Sequence, residues 1–284
     1  MRRDGKRVKN VNAEYLVVPH IMPARNDALN MIELDIPEKP IKDYLNAKRK
    51  EGITLSHLSV ILAAFARTVA EFPMLNRFVV NKTVYARNEF VIGMVVLKGG
   101  KMDNGTTSKV RIDPAATIFE VDSKINEYIT SNREEGNVNA TDKLINVLLK
   151  IPGLLRIGVV FFKILDKFGL LPRAIIDASP FHASIMFSNL ASIRTNHIFH
   201  HIYNFGTTSL LLTMGNMREV PKRTKDGEIV HEKCIPFGLV MDERIASGSY
   251  FALAFRAFKK YLSNPELLEE KAENVTYETK FRTK

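Results

Sequence analysis

Apolar and polar positions along this chain of 284 residues repeat with two different periods, and each change of period marks an element. Residues 28–36 (ALNMIELDI) alternate as a half-buried strand does, until Pro37 and Pro40 end the pattern. A polar helix is predicted from there to about Lys50, with Gly52 just past its end. ITLSHLSVILAAFARTVAEFP, residues 53–73, reads as a helix that is apolar almost all round, which predicts burial between layers. Segments 77–80 and 83–86 flank Asn81-Lys82 as in a hairpin. FVIGMVVL, residues 90–97, is a buried strand punctuated by Gly99-Gly100. Asp113-Pro114 leads to a helix from Thr117 to about Ser131, and 132–142 reads as a polar loop.

Residues 144–165 (LINVLLKIPGLLRIGVVFFKIL) are the most hydrophobic run. Lys150, Arg156, Lys163 and the Pro152-Gly153 break leave it short of the roughly 20 nearly uncharged residues a membrane span needs. It is expected to be helical and packed on the domain, with attachment to a membrane surface as the alternative. Further strands are predicted at 183–187, 207–214 and 235–242, then a helix from about Ser249 to Leu262, closed by Pro265. Strands and helices intermix without a βαβ rhythm, so the class is α+β with a mixed sheet in a single domain.

Hydrophobic content of 45% and charged content of 25% are ordinary for a globular protein. Cys234 is the only cysteine, so it reads as a small buried hydrophobe, and a reducing, cytoplasmic setting is expected. The net charge is +10, and Arg2, Arg3, Lys6, Arg7 and Lys9 crowd the start of the chain, which lacks the apolar stretch of a signal peptide. Residues 1–12 are therefore expected as a basic flexible tip, 13–265 as the folded domain and 266–284 as a charged, frayed tail. Such charge suits nucleic acid, an anionic membrane or a phosphate-rich cofactor. No zinc-type spacing, Walker loop or RNA-binding aromatic motif accompanies it, so nucleic acid is not favoured and no metal site is expected.

LVMDERIASGSYFALAFRAFKKYLSNP, residues 239–265, lays out an apolar strand, a tight polar turn and a long amphipathic helix. This resembles the signature region of the chloramphenicol acetyltransferase and dihydrolipoyl acyltransferase superfamily, whose motif there is HxxxDG. The histidine falls on Glu243, the aspartate on Ser247, and Gly248 alone matches. Two more blocks follow the family's order: residues 53–78, with Pro-x-Leu-Asn after the helix, and SIMFSNLASIRTNHIFHHIYNFGTTSLLLTMG, residues 184–215. The second is similar to a Ser-Asn-Leu-Gly strand end, an Ile-x-Asn loop and a strand ending in Gly. Together the blocks cover about residues 15–265. The resemblance implies an α+β, chloramphenicol acetyltransferase-like two-layer sandwich that forms a homotrimer. Its active site would lie at the subunit interface, with the acceptor and coenzyme A entering from opposite ends. No lipoyl attachment site resembles any part of the chain.

In that family the histidine takes a proton from the acceptor, which then attacks the thioester of acyl-coenzyme A. Imidazole suits this because its pKa lies near neutrality. A hydroxyl that donates to the oxyanion corresponds to Ser188; a strand-end serine bonding locally is the other reading. Glu243 then stands as an altered base. A glutamate is weak toward a thiol unless burial raises its pKa, and an ion pair with the adjoining Arg244 would lower it. Ser247 cannot supply the carboxylate that pairs with arginine in the family's turn, but it can cap the following helix. Strand alternation puts His182, Ser184, Met186 and Ser188 on one face, making His182 a second base candidate, although roughly 20 Å from Ser188. His200-His201 with Phe205 imitates the motif but precedes the strand at 207–214, so it is assigned to the Ile-x-Asn loop, whose asparagine is Asn204. Asn204, Ser247 and Gly248 are the expected cofactor-side residues. Two functions follow. One is transfer of an acyl group from acyl-coenzyme A to a small thiol, hydroxyl or amine acceptor. The other is an inactive trimeric binding or scaffold protein.

Overall fold

Strand β10 (Ile229–Asp242) organises the main sheet. Its C-terminal half pairs with β2 (Leu29–Pro37) on one side and β8 (Leu210–Met214) on the other. The order continues through β7 (Ile185–Asn189) and β5 (Phe90–Leu97) to β6 (Gly105–Ile112), and β9 (Arg218–Arg223) pairs with the first half of β10. β7 runs parallel to both neighbours and the other pairs are antiparallel, so the sheet is mixed. The computed structural model describes residues 2–9, 11–98, 105–134, 138–150, 152–273 and 275–279.

The helical layer is α2 (Glu38–Lys50), α3 (His57–Glu71), α4 (Ile118–Arg133) and α8 (Gly248–Ser263). α3 is buried at every position from Ser59 to Ala70, as its all-round apolar pattern predicts. The Ser56 hydroxyl caps it, and a Thr117–Glu120 capping box starts α4. Phe65 packs edge-on against Phe258, which in turn meets Phe237 of β10. The hairpin of β3 (Arg77–Val80) and β4 (Thr83–Arg87) turns at Asn81 and Lys82, which take left-handed φ of 47° and 59°.

The two termini correct the sequence reading. Residues Gly5–Arg7 form strand β1 on β4, and Arg2 and Asp4 are buried, so the start of the chain is a strap and not a free tip. Arg2 binds Asp4 through Nε at 3.0 Å and Asp166 through Nη2 at 2.6 Å. The cationic run suggests solvent only because one of its carboxylate partners lies 164 residues away. The tail from 266 is likewise packed as far as 279: Leu268 is buried, the Thr276 amide donates to the Ala70 carbonyl, and Glu278 pairs with Arg77.

The expected 132–142 loop is shorter, because α4 runs to Arg133 and α5 (Ala140–Leu149) has begun. Its residues 135–137 and the Gly99-Gly100 pair lie outside the described residues. The 144–165 run divides into α5 and α6 (Leu154–Lys167) around Pro152-Gly153, where Gly153 takes a left-handed φ of 83°. The buried Asp166 near the end of α6 also lies 3.4 Å from His182 Nε2. Burial depresses the His182 pKa below 6.5 despite this pairing. Burial acts to raise Asp166, but His182 and Arg2 outweigh it and hold the carboxyl at about 2.

A buried neutral histidine binds fewer protons in the folded than in the unfolded chain. Its stabilisation is therefore intact above 6.5 and lost as pH falls below that value. Denaturant midpoints are expected to drop across this window and to drop less in His182→Gln, with His57, also lowered by burial, contributing the remainder. An unchanged slope in that variant contradicts the assignment.

Candidate active site

The turn after β10 is built on Asp242, which has no solvent exposure. Arg244 clasps it with two bonds, Nε to Oδ1 at 2.8 Å and Nη2 to Oδ2 at 2.7 Å. Arg25 approaches from the other side at 3.4 Å. Burial is the largest influence on Arg25 and lowers its pKa, and Asp242 opposes that shift. Both guanidiniums reach further. Arg244 donates to the Met22 and Pro23 carbonyls, and Arg25 donates to those of Tyr203 and Gly206. The turn's backbone is pinned as well, with the Glu243 amide on the Ala28 carbonyl and the Ser247 amide on the Tyr15 hydroxyl.

This geometry revises the expected ion pair. Arg244 is paired with Asp242, and the Glu243 carboxylate instead accepts from Asn30 Nδ2 at 2.6 Å. Asn30 lies on β2, the edge strand, so the half-buried Glu243 sits at an open margin of the sheet. Ser247 is the N-cap of α8, its hydroxyl accepting from the Tyr250 amide at 3.3 Å, and Gly248 is exposed behind it. Asn204 Oδ1 takes the amides of Arg25 at 2.7 Å and Asn26 at 3.3 Å, fastening the 200–206 loop to the segment before β2.

Ser188 stands elsewhere, near the end of β7, in a largely apolar cavity of about 220 Å³. Met186, Phe181, Tyr203, Phe205 and His200 share its walls. The loop 196–202 crosses this otherwise bare face of the sheet, close enough at Gly238 that a side chain there would strike the Ile198 carbonyl. His182 does not join Ser188. Regular strand begins only at Ile185, and His182 turns toward Ser179 and Asp166.

Glu243 does not join Ser188 within one subunit either. Ser188 pairs with Thr213, and Thr213 with Gly238, so Glu243 is two strands across and five residues along, roughly 19 Å away.

A second cavity, of about 480 Å³, was not foreseen from sequence. Arg25, Lys82, Lys163, Lys167 and Arg244 line it, with Asp166 as the one lining carboxylate, itself paired with Arg2. Phe205 belongs to the walls of both cavities. His200, assigned from sequence to the Ile-x-Asn loop, lines the cavity that holds Ser188. Its place beside Ser188 depends on how the loop folds back, which the motif's order along the chain does not reveal.

Residues 182–269 match the family model described as 2-oxoacid dehydrogenases acyltransferase (catalytic domain). Among curated proteins none matches the chain in sequence. Among solved structures, a probable dihydrolipoamide acetyltransferase from Listeria monocytogenes superposes with a TM-score of 0.56 at 16% identity, covering 96% of this chain and 98% of that one. The dihydrolipoamide acetyltransferase of Azotobacter vinelandii, studied for the catalytic roles of a serine, a histidine and an asparagine, gives 0.57 at 13% over 92% and 93%. A chloramphenicol acetyltransferase gives 0.53 at 12% over 91% and 99%. The chain therefore has the acyltransferase catalytic-domain fold, a single-domain α+β sandwich of the chloramphenicol acetyltransferase type, and carries that family's sequence pattern over 182–269.

Removing the charge of Asp242 strands two buried guanidiniums. Asp242→Asn is expected to lower folding stability by about 3–5 kcal/mol in denaturant titrations, as for other broken buried pairs. A loss below about 1 kcal/mol, the scale of an exposed pair, contradicts its role as the anchor of the turn.

Proposed function

We propose that the protein is an acyltransferase that moves an acyl group from acyl-coenzyme A to a small thiol, hydroxyl or amine acceptor. The observation that carries this reading is the juxtaposition of the two cavities across Phe205. One is apolar and holds a hydroxyl; the other presents Lys82, Lys163 and Lys167, with Arg25 and Arg244 in its wall already bound to Asp242. An acyl thioester attached to a polyphosphate has that same division of character, and lysine side chains suit its phosphates.

In this proposal Glu243, freed from Arg244, is the base, and the subunits form a homotrimer in which Glu243 of one copy meets Ser188 of the next. The separation of the two residues within a subunit requires such an arrangement if both act on one reacting centre. Glu243 takes the acceptor's proton as the acceptor attacks the thioester carbonyl. Ser188 Oγ donates to the oxyanion that forms, and collapse expels the coenzyme A thiolate, which recovers the proton from Glu243. Asn204, Ser247 and Gly248 hold the loop and turn that shape the site. A non-enzymatic trimeric binding protein is the second reading, favoured by the missing imidazole at 243 and by the capping role of Ser247.

Acyl-coenzyme A hydrolysis or transfer to a panel of acceptors is expected to fall at least about tenfold in Glu243→Gln, the scale of a lost general base. Unchanged turnover in that variant with loss in His200→Asn moves the base to the imidazole in Ser188's own cavity. No turnover by the parent chain with any acceptor supports the binding protein.

A further inference from the structure

The outer side of the α5–α6 hairpin is the largest feature that the acyl-transfer reading leaves unused. α6 packs inward through Phe162, Leu165 and the buried Gly158, which faces Leu148 of α5. Its other side carries Ile157, Val160, Phe161, Ile164 and, just past its end, Phe168, each more than half exposed. These positions recur at the spacing of one helical stripe. Leu149 of α5, also more than half exposed, extends the patch.

Cations follow the stripe. Arg156, Lys163 and Lys167 lie one position before Ile157, Ile164 and Phe168, and Lys143 and Lys150 stand on or beside α5. Between residues 143 and 172 the only acidic side chain is Asp166, which is buried and paired with Arg2. An apolar ridge flanked by cations without exposed carboxylates is complementary to a surface that is apolar within and anionic at its rim. A second copy of the same face would set five cations against five, in a chain whose net charge is already +10. α6 has 14 residues and is about 21 Å long, short of the roughly 30 Å hydrocarbon core, with its inner side committed to the domain. Among the described residues no helix is long and apolar enough to cross a membrane.

We infer that the outer face of the α5–α6 hairpin docks flat on an anionic lipid bilayer, with the Ile157–Phe161–Ile164 stripe in the acyl boundary and Lys143, Lys150 and Arg156, none of which lines the basic cleft, at the headgroups. α1 (Ala13–Ile21) exposes Leu16, Val17 and Ile21, and its exit at Pro23-Ala24 borders the same basic cleft as Lys163 and Lys167. The inference does not depend on the acyl-transfer reading.

The test is sedimentation of the full chain with phosphatidylglycerol–phosphatidylcholine vesicles. Binding is expected there, weakened at high salt and at least about tenfold lower on phosphatidylcholine alone. Ile157→Ser/Phe161→Ser should lose it by a similar factor. So should Lys150→Glu/Arg156→Glu, which leaves the stripe intact and guards against misfolding of the first variant. The inference is overturned if the parent does not sediment with anionic vesicles, or if both variants sediment as the parent does. It is equally overturned if the stripe variant dissociates an oligomer by light scattering while the parent ignores vesicles, which gives the face to a second copy.

Discussion

A carboxylate sealed from water between two guanidiniums is the constraint on which the rest of this site depends. Arg244 grips both oxygens of Asp242 and Arg25 faces one of them, which offsets the cost of burying the group. The same two arginines give further donors to backbone carbonyls at 22–23 and 203–206. Three stretches distant in sequence are thereby fixed to one point: the approach to β2, the loop over the sheet face, and the end of β10. The resemblance to acyltransferases leads one to expect a carboxylate–arginine pair in this turn with the carboxylate at 247. Here the carboxylate paired with arginine is Asp242, which leaves Glu243 to accept from Asn30.

Much of the fold was legible where an element keeps a regular pattern along its length. α3, buried from Ser59 to Ala70, and the alternating β2 are read from period alone. β9 escaped notice because it is an exposed edge strand with polar residues and Pro221 in its ladder, the composition that protects edges. β6 (GTTSKVRI) is half-buried and mostly polar, so it resembles a loop. The terminal strap failed for a different reason: Arg2 looks solvated until Asp166 is brought to it by the fold.

The site was legible in part. Glu243, Ser247 and Ser188 are located by motif order, but which carboxylate takes Arg244 is a matter of backbone direction at a tight turn. The basic cleft draws Lys82 from a hairpin tip, Arg25 from a loop and two lysines from α6, so no local pattern contains it. His182 shows the converse error. Alternation read from sequence runs past the point where the strand begins, and His182 instead faces Asp166 of α6.

In the proposed trimer the clamped turn offers Glu243 to Ser188 of a neighbouring copy. Ser188→Cys and Glu243→Cys in one chain test it directly under mild oxidation. The pair is roughly 19 Å apart within a subunit, against the about 7 Å limit for a disulfide, so any bond formed must join two chains. Reducible covalent dimers and trimers that neither single variant gives are the expected result. A protein that stays uncrosslinked, or that scatters light as a monomer, contradicts it.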